Sequence, residues 1–235
     1  MDLKFDLREW LTEVVEMLVI LGAIILLSRL FLGADMLVPL VAVTSQSMLH
    51  VSDSWKVWLQ EHGISKDRIE KFPMQNGFAM GDMIVTITPD GEGTIIRLFP
   101  DTQLGDVIIY RRDRLHPGNE PIIHRVVGIV YVRDWDIEGI EGTLDCLSED
   151  DFRNKFIPYI RDCIDGKRCP YREFPKTGTF KFFITKGDNN PVSDQCGIGT
   201  GIALPVNEEQ LTARGWIRLP YIGWLKLLMN YILGI

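Results

Sequence analysis

Residues 14–32, VVEMLVILGAIILLSRLFL, form an almost unbroken apolar run. A helix needs about 20 such residues to cross a bilayer. The two charges in the run, Glu16 and Arg29, lie near its ends, where side chains can reach toward the headgroups. The pattern predicts one spanning helix. A cleaved leader or a buried core helix would show a similar run. Residues 1–13 carry more acidic than basic groups, whereas the first region of a secretory leader is basic. The same acidity blunts the charge rule for orientation.

The pattern changes over residues 36–132 to short runs rich in β-branched residues: MLVPLVAV, DMIVTIT, DVIIYRR and IIHRVVGIVYV, separated by Gly, Pro and Asp. A mostly antiparallel β domain is expected. Residues 52–72 break the series with WKVWLQEHG and KDRIEKF, which read as helical, with Asp53 and Ser65 as expected N-caps. Residues 133–177 are polar, rich in turns and without a sustained period. These two stretches are expected as inserts at about 49–77 and 133–177. TFKFFITKGD then reads as a strand leading into a turn.

The expected organisation is an N-terminal segment with its helix over 1–35, a β-rich domain over 36–220 and an apolar tail over 221–235. The tail is short for a crossing and rich in Trp and Tyr. An interfacial helix and a shallow second span are both open. A net charge of -7, without a basic cluster, speaks against a nucleic-acid partner. The cysteines Cys146, Cys163, Cys169 and Cys196 have no Cys-x-x-Cys spacing of the kind that holds zinc. Four cysteines allow three disulfide connectivities, and the spacing does not choose among them.

Three short segments carry candidate chemistry. Thr44-Ser45-Gln46-Ser47-Met48 follows the apolar helix; a serine becomes a nucleophile only when a base takes its proton and donors await the oxyanion. His124 is embedded in the β run PIIHRVV, and an imidazole suits general-base work near neutral pH. The turn after the 180s strand, KGDNNPVSD, offers Asp188 and Asp194, either of which could orient a histidine as in a Ser-His-Asp triad. Taken singly, each segment also reads as ordinary turn or strand chemistry.

Together, and in this order, the Ser-x-Ser-Met box, Gly81-Asp82, Gly105-Asp106, His124-Arg125-Val126-Val127, Gly187-Asp188-Asn189-Asn190 and Arg218-Leu219-Pro220-Tyr221-Ile222-Gly223 resemble the type I signal peptidases. The similarity is to the archaeal and endoplasmic-reticulum branch, since the bacterial branch has a lysine where this chain has His124. It covers most of residues 14–132 and 178–225. The resemblance implies a signal-peptidase-like antiparallel β catalytic domain with a membrane-associated tail. It also implies Ser47 as nucleophile, with the Ser47 N–H and the Ser45 hydroxyl forming the oxyanion hole. His124 would be the base, Asp194 its acidic partner and Asp188 a supporting residue, with no metal or cofactor. The implied substrates are secretory preproteins cut after small residues, at an extracytoplasmic membrane surface or the endoplasmic-reticulum membrane, in association with translocation machinery. The chain departs from many members in lacking a proline two residues after Met48, where Leu49 and His50 stand. A protease of the same chemistry with a specialised substrate, and a non-catalytic membrane-tethered β domain, are the rival readings. A self-cleaving repressor is not supported, because no helix-turn-helix or basic face is visible.

Overall fold

A computed structural model of the chain describes residues 7–33, 39–90, 99–164, 169–196 and 201–233. Helix α1 spans Leu7–Leu32, and its 26 residues make a rod of about 39 Å. Within it Trp10–Leu32 contains an 18-residue stretch of mean hydropathy 2.4 that is nowhere buried, so the helix is long and apolar enough to cross a bilayer. Arg29 in the last turn suits the negative end of the helix dipole. Gly33 ends the helix in the left-handed region, its N–H bonded to the Arg29 carbonyl at 2.9 Å.

The rest is mainly antiparallel β. The strands are β1 (Leu40–Ala42), β2 (Met83–Ile87), β3 (Val107–Tyr110), β4 (Ile122–Arg133), β5 (Asp136–Gly142), β6 (Thr179–Lys186), β7 (Val206–Asn207) and β8 (Leu211–Leu219). They form one sheet in the order β1-β2-β8-β3-β4-β6-β7, with β5 also on β4. The long strand β4 organises it. Residues Ile122 to Arg125 pair with β3, Gly128 to Arg133 pair with β5 on the same edge, and β6 lines the other edge.

Pairing between β4 and β6 skips a residue: Val126 faces Thr185, but Gly128 faces Ile184. Val127 is therefore the extra residue of a β-bulge, and its carbonyl accepts from Thr143 N–H at 2.9 Å instead. Ahead of the bulge, strand alternation puts His124 and Val126 on one face of the sheet with Ile108, Tyr110 and Thr185. Arg125 shares the other face with Lys186.

Residues 49–77 contain α2 (Ser54–Glu61) and α3 (Lys66–Ile69), as the sequence predicts. Asp53 and Ser65 occupy the N-cap positions, but neither side chain makes a capping bond. Trp55 and Leu59, one turn apart on α2, are buried in the main core beside Ile69 and Phe72.

Residues 133–177, expected as a polar, turn-rich insert without a sustained period, contain regular structure. Their first part is β5, which joins β4 through a turn in which Asp134 and Trp135 have positive φ. Its sequence DIEGIEG hides the strand because one face is solvated and two glycines dilute the β signal. Further along, α4 (Glu149–Asp151), a π-helical turn and α5 (Ile157–Cys163) bring Phe152 and Phe156 against Phe182 of β6.

Helix α6 spans Gly223–Leu233. Its 11 residues reach about 16 Å, roughly half the hydrocarbon thickness, so the described helix is too short to be a second span. Trp224 packs on Gly81, where φ is +88° and an added Cβ would lie 2.1 Å from the indole. Tyr221, Leu225, Leu228, Tyr231 and Ile232 are exposed.

Candidate active site

His124 is buried, and its Nδ1 lies 2.6 Å from Asp194 Oδ2. A carboxylate accepts, so Nδ1 carries the proton in this bond and Nε2 keeps its lone pair. Nε2 faces the backbone of Gly187, where an added Cβ would stand 2.9 Å away. The absence of a side chain at Gly187 leaves that nitrogen open.

Asp194 is held from several sides. Its N–H bonds the Thr185 carbonyl at 2.7 Å, and its own carbonyl accepts from Ile202 and Ala203. Its Oδ2 also receives Tyr110 Oη at 2.9 Å and Thr185 Oγ1 at 2.6 Å. Among the described residues Oδ1 is buried without a hydrogen-bond partner. Two residues on, Cys196 is joined to Cys146 by a disulfide that ties this loop to the segment after β5. That bond accounts for a cysteine so near Asp194. Asp145 strengthens the same junction by accepting from Ser193 N–H at 2.8 Å and pairing with His62 at 3.3 Å. Cys163 and Cys169 are free thiols, and burial followed by the neighbouring Cys169 pushes the Cys163 thiol up to about 12.

Asp188 sits in a different environment. Arg125 approaches it with Nε at 2.9 Å and Nη2 at 2.8 Å, and His50 Nε2 lies 2.6 Å from its Oδ2. Burial pushes the carboxyl up, but the Arg125 charge and the bonds from His50 and Arg125 outweigh it and bring it to about 2. Trp55 covers this group, stacked on His50 at 4.5 Å and lying 4.8 Å beneath the Arg125 guanidinium. Lys186, also buried, donates to the carbonyls of Gly187 at 3.0 Å and Asp188 at 3.3 Å, and burial pushes its ammonium down.

Ser47 follows β1 in a turn closed by Leu49 N–H on the Gln46 carbonyl. This turn is fastened to the one carrying Asp188: Asn189 N–H donates to the Ser47 carbonyl at 2.7 Å and Asn189 Nδ2 to the Gln46 carbonyl at 3.3 Å. Met48 is buried and anchors the turn in a small apolar cluster with Val43, Phe78, Ile84 and Val107. Ser47 itself is half-buried and Ser45 exposed, their hydroxyl oxygens 3.1 Å apart. No hydrogen bond joins the Ser47 hydroxyl to His124.

The fold therefore brings His124 and Asp194 into contact and ties the Ser47 turn to the loop that passes His124 Nε2. It sets Asp188 apart with Arg125 and His50. Sequence reasoning did not single out Tyr110, Thr185, His50 or Arg125 for the site. Strand alternation across three adjacent strands would have placed Tyr110, His124 and Thr185 on one face, but only once the register was known. Among the described residues, the one cluster of metal-ligating types, Asp145 with Cys146 and Cys196, has both sulfurs in the disulfide and offers a single carboxylate. No family model and no curated protein matches the chain.

Proposed function

We propose that the chain is a membrane-anchored serine endopeptidase of the type I signal peptidase kind, acting on secretory preproteins at the bilayer surface. The observation that carries this reading is the buried 2.6 Å contact between His124 Nδ1 and Asp194, which leaves Nε2 open beside Gly187. A buried carboxylate and imidazole are costly to maintain, and such pairs concentrate at functional sites; the comparably buried Asp188–His50 pair differs in that the second ring nitrogen of His50 is taken up by the Gln75 carbonyl at 2.9 Å, whereas Nε2 of His124 is open. That cost weighs against a purely structural β domain.

In the proposed reaction His124 Nε2 takes the Ser47 proton as Oγ attacks the scissile carbonyl, and Asp194 stabilises the imidazolium that forms. The Ser47 N–H and the Ser45 hydroxyl stabilise the oxyanion. The imidazolium then protonates the leaving amine, and water activated by the same ring releases the acyl chain. Contacts between nucleophile and base often tighten only when substrate binds, which accommodates the unmade Ser47–His124 bond. Helix α1 supplies the anchor, and the apolar face of α6 supplies a second membrane contact. The catalytic domain lies on the extracytoplasmic side, within reach of translocation machinery. Asp188 supports the turn that fastens Ser47, and Lys186 serves as a tie between loop carbonyls, not as the base.

The test incubates the detergent-solubilised chain with a preprotein and sequences the new N-terminus. Wild type and Lys186→Ala should cut after a small residue, while Ser47→Ala and His124→Ala should not. Equal processing by Ser47→Ala and wild type would overturn the assignment.

A further inference from the structure

The carboxylate that faces His124 is itself controlled. Three donors converge on Asp194 Oδ2: His124 Nδ1 at 2.6 Å, Thr185 Oγ1 at 2.6 Å and Tyr110 Oη at 2.9 Å. All four side chains are buried. Proton positions follow from the surroundings. Gln195 Oε1 accepts from Thr185 N–H at 3.0 Å, which turns Gln195 Nε2 toward Thr185 Oγ1 at 3.3 Å and the Leu204 carbonyl at 3.2 Å. With its oxygen accepting from Gln195, the Thr185 hydroxyl directs its own proton to Asp194. Burial, and next the Asp194 charge, push the Tyr110 phenol well up, so it remains a donor across the working pH range. Phenylalanine would fill nearly the same space without a hydroxyl that must be satisfied.

We propose that Tyr110 and Thr185 are positioning residues, whose hydroxyls fix the aim of Asp194 and share its charge so that His124 is released as a base. An unshared carboxylate would hold the imidazolium more tightly. Each hydroxyl donor withdraws part of that hold, because hydrogen bonds to the charged form stabilise it. Other charges nearby come from known elements. Arg112 follows β3 and acts on Tyr110, while Lys186 acts on Asp194 from the end of β6. Arg125, next to His124 on β4, is engaged with Asp188 on the opposite face.

The kinetic half of the test rests on the protease reading, and the spectroscopic half does not. Full-length Tyr110→Phe, Thr185→Val and the conservative Thr185→Ser are compared with wild type in detergent. One measurement is the pH–rate profile of preprotein cleavage; the other is the His124 imidazole titration followed by NMR. Loss of either hydroxyl should lower kcat about tenfold with little change in KM, and should move both the lower limb of the profile and the imidazole midpoint to higher pH. Thr185→Ser should restore the wild-type midpoint. A fall in kcat with the midpoint unmoved in folded Tyr110→Phe and Thr185→Val would mean packing alone and would overturn the inference. Should Tyr110→Phe fail to fold, the Thr185 pair decides by itself. Should wild type cleave nothing, the protease reading fails while the NMR titration still decides whether the two hydroxyls govern His124.

Discussion

Replacing Asp188 by Asn removes one negative charge from a buried group and turns one of its two acceptor oxygens into a donor that faces Arg125 or His50. Arg125 is fully buried and would keep only neutral partners among the described residues, including the carbonyls of Pro73 and Gly105 at 2.9 and 2.7 Å from Nη1 and the Trp55 ring beneath it. Breaking a buried pair in this way typically costs about 3–5 kcal/mol, because the surviving charge has no counter-ion. A lower bound comes from the carboxyl itself. Burial alone would raise it above its ordinary 3.8, yet Arg125 and His50 bring it to about 2, a difference worth about 2 kcal/mol. The native carboxyl is depressed, so this contribution is complete above pH ~4 and is lost as pH falls through about 2. Unfolding of wild type and Asp188→Asn in detergent should thus differ by about 3 kcal/mol or more at pH 7, or roughly 10 °C in Tm for a chain of this size. The gap should narrow by about 2 kcal/mol between pH 4 and pH 2. A gap under about 1 kcal/mol at neutral pH, or one that stays constant into acid, would refute the assignment of Asp188 as the counter-ion of Arg125.

Asp194→Asn should keep a melting temperature close to wild type while turnover falls about 1000-fold or more, because a neutral amide neither selects the tautomer nor stabilises the imidazolium; parallel melting and turnover measurements separate it from Asp188→Asn. Gly187→Ala should cost on the order of 100-fold in turnover, since its Cβ would stand 2.9 Å from His124 Nε2 and 2.6 Å from Asn190 Nδ2. Retained activity would show that the base is approached from another side. Cys196→Ser, or reductant, should lower stability by ~4 kcal/mol in the chain-entropy account of a loop of this length, as the bridge joins residues 50 apart. Turnover should fall with it because Asp194 is two residues away; Cys163→Ser should do neither.

The parts legible from sequence were those with strong local signals. The apolar run of α1, the β-branched runs of β2, β3, β4 and β6 and the two helices of residues 49–77 announce themselves by composition and period. Strand β8 does not. Its sequence LTARGWIRL buries Ala213, Gly215 and the charged Arg214 at the centre of the sheet, between β2 and β3. Arg214 is tolerated there because Asp106 lies 2.7 Å away and the Pro100 carbonyl accepts at 2.8 Å. No period in a single strand can announce a partner a hundred residues distant. The same limit applied to the site. Ser47, His124, Asp188 and Asp194 stand out as residue types in suggestive turns and strands. The separation of the two carboxylates into different charge systems depends on Arg125 and His50, whose partners only the register reveals. Cysteine pairing was open for a similar reason, since the approach of Cys146 to Cys196 depends on how the segment after β5 folds back.

The bulge at Val127 makes the strand's two tasks compatible. Beyond it, β4 carries Ile129, Val130 and Val132, all fully buried, and ahead of it His124 and Arg125 serve different faces. Removing that one residue would delete an ordinary buried valine by composition, yet its effect would be one of parity. Relative to the buried half of the strand, every side chain from Ile122 to Val126 would change sides. The imidazole would turn toward the carboxylate that now neutralises a guanidinium, and the guanidinium toward Asp194. A single-codon deletion there is thus a change of wiring, and no repacking of neighbouring side chains could compensate for it.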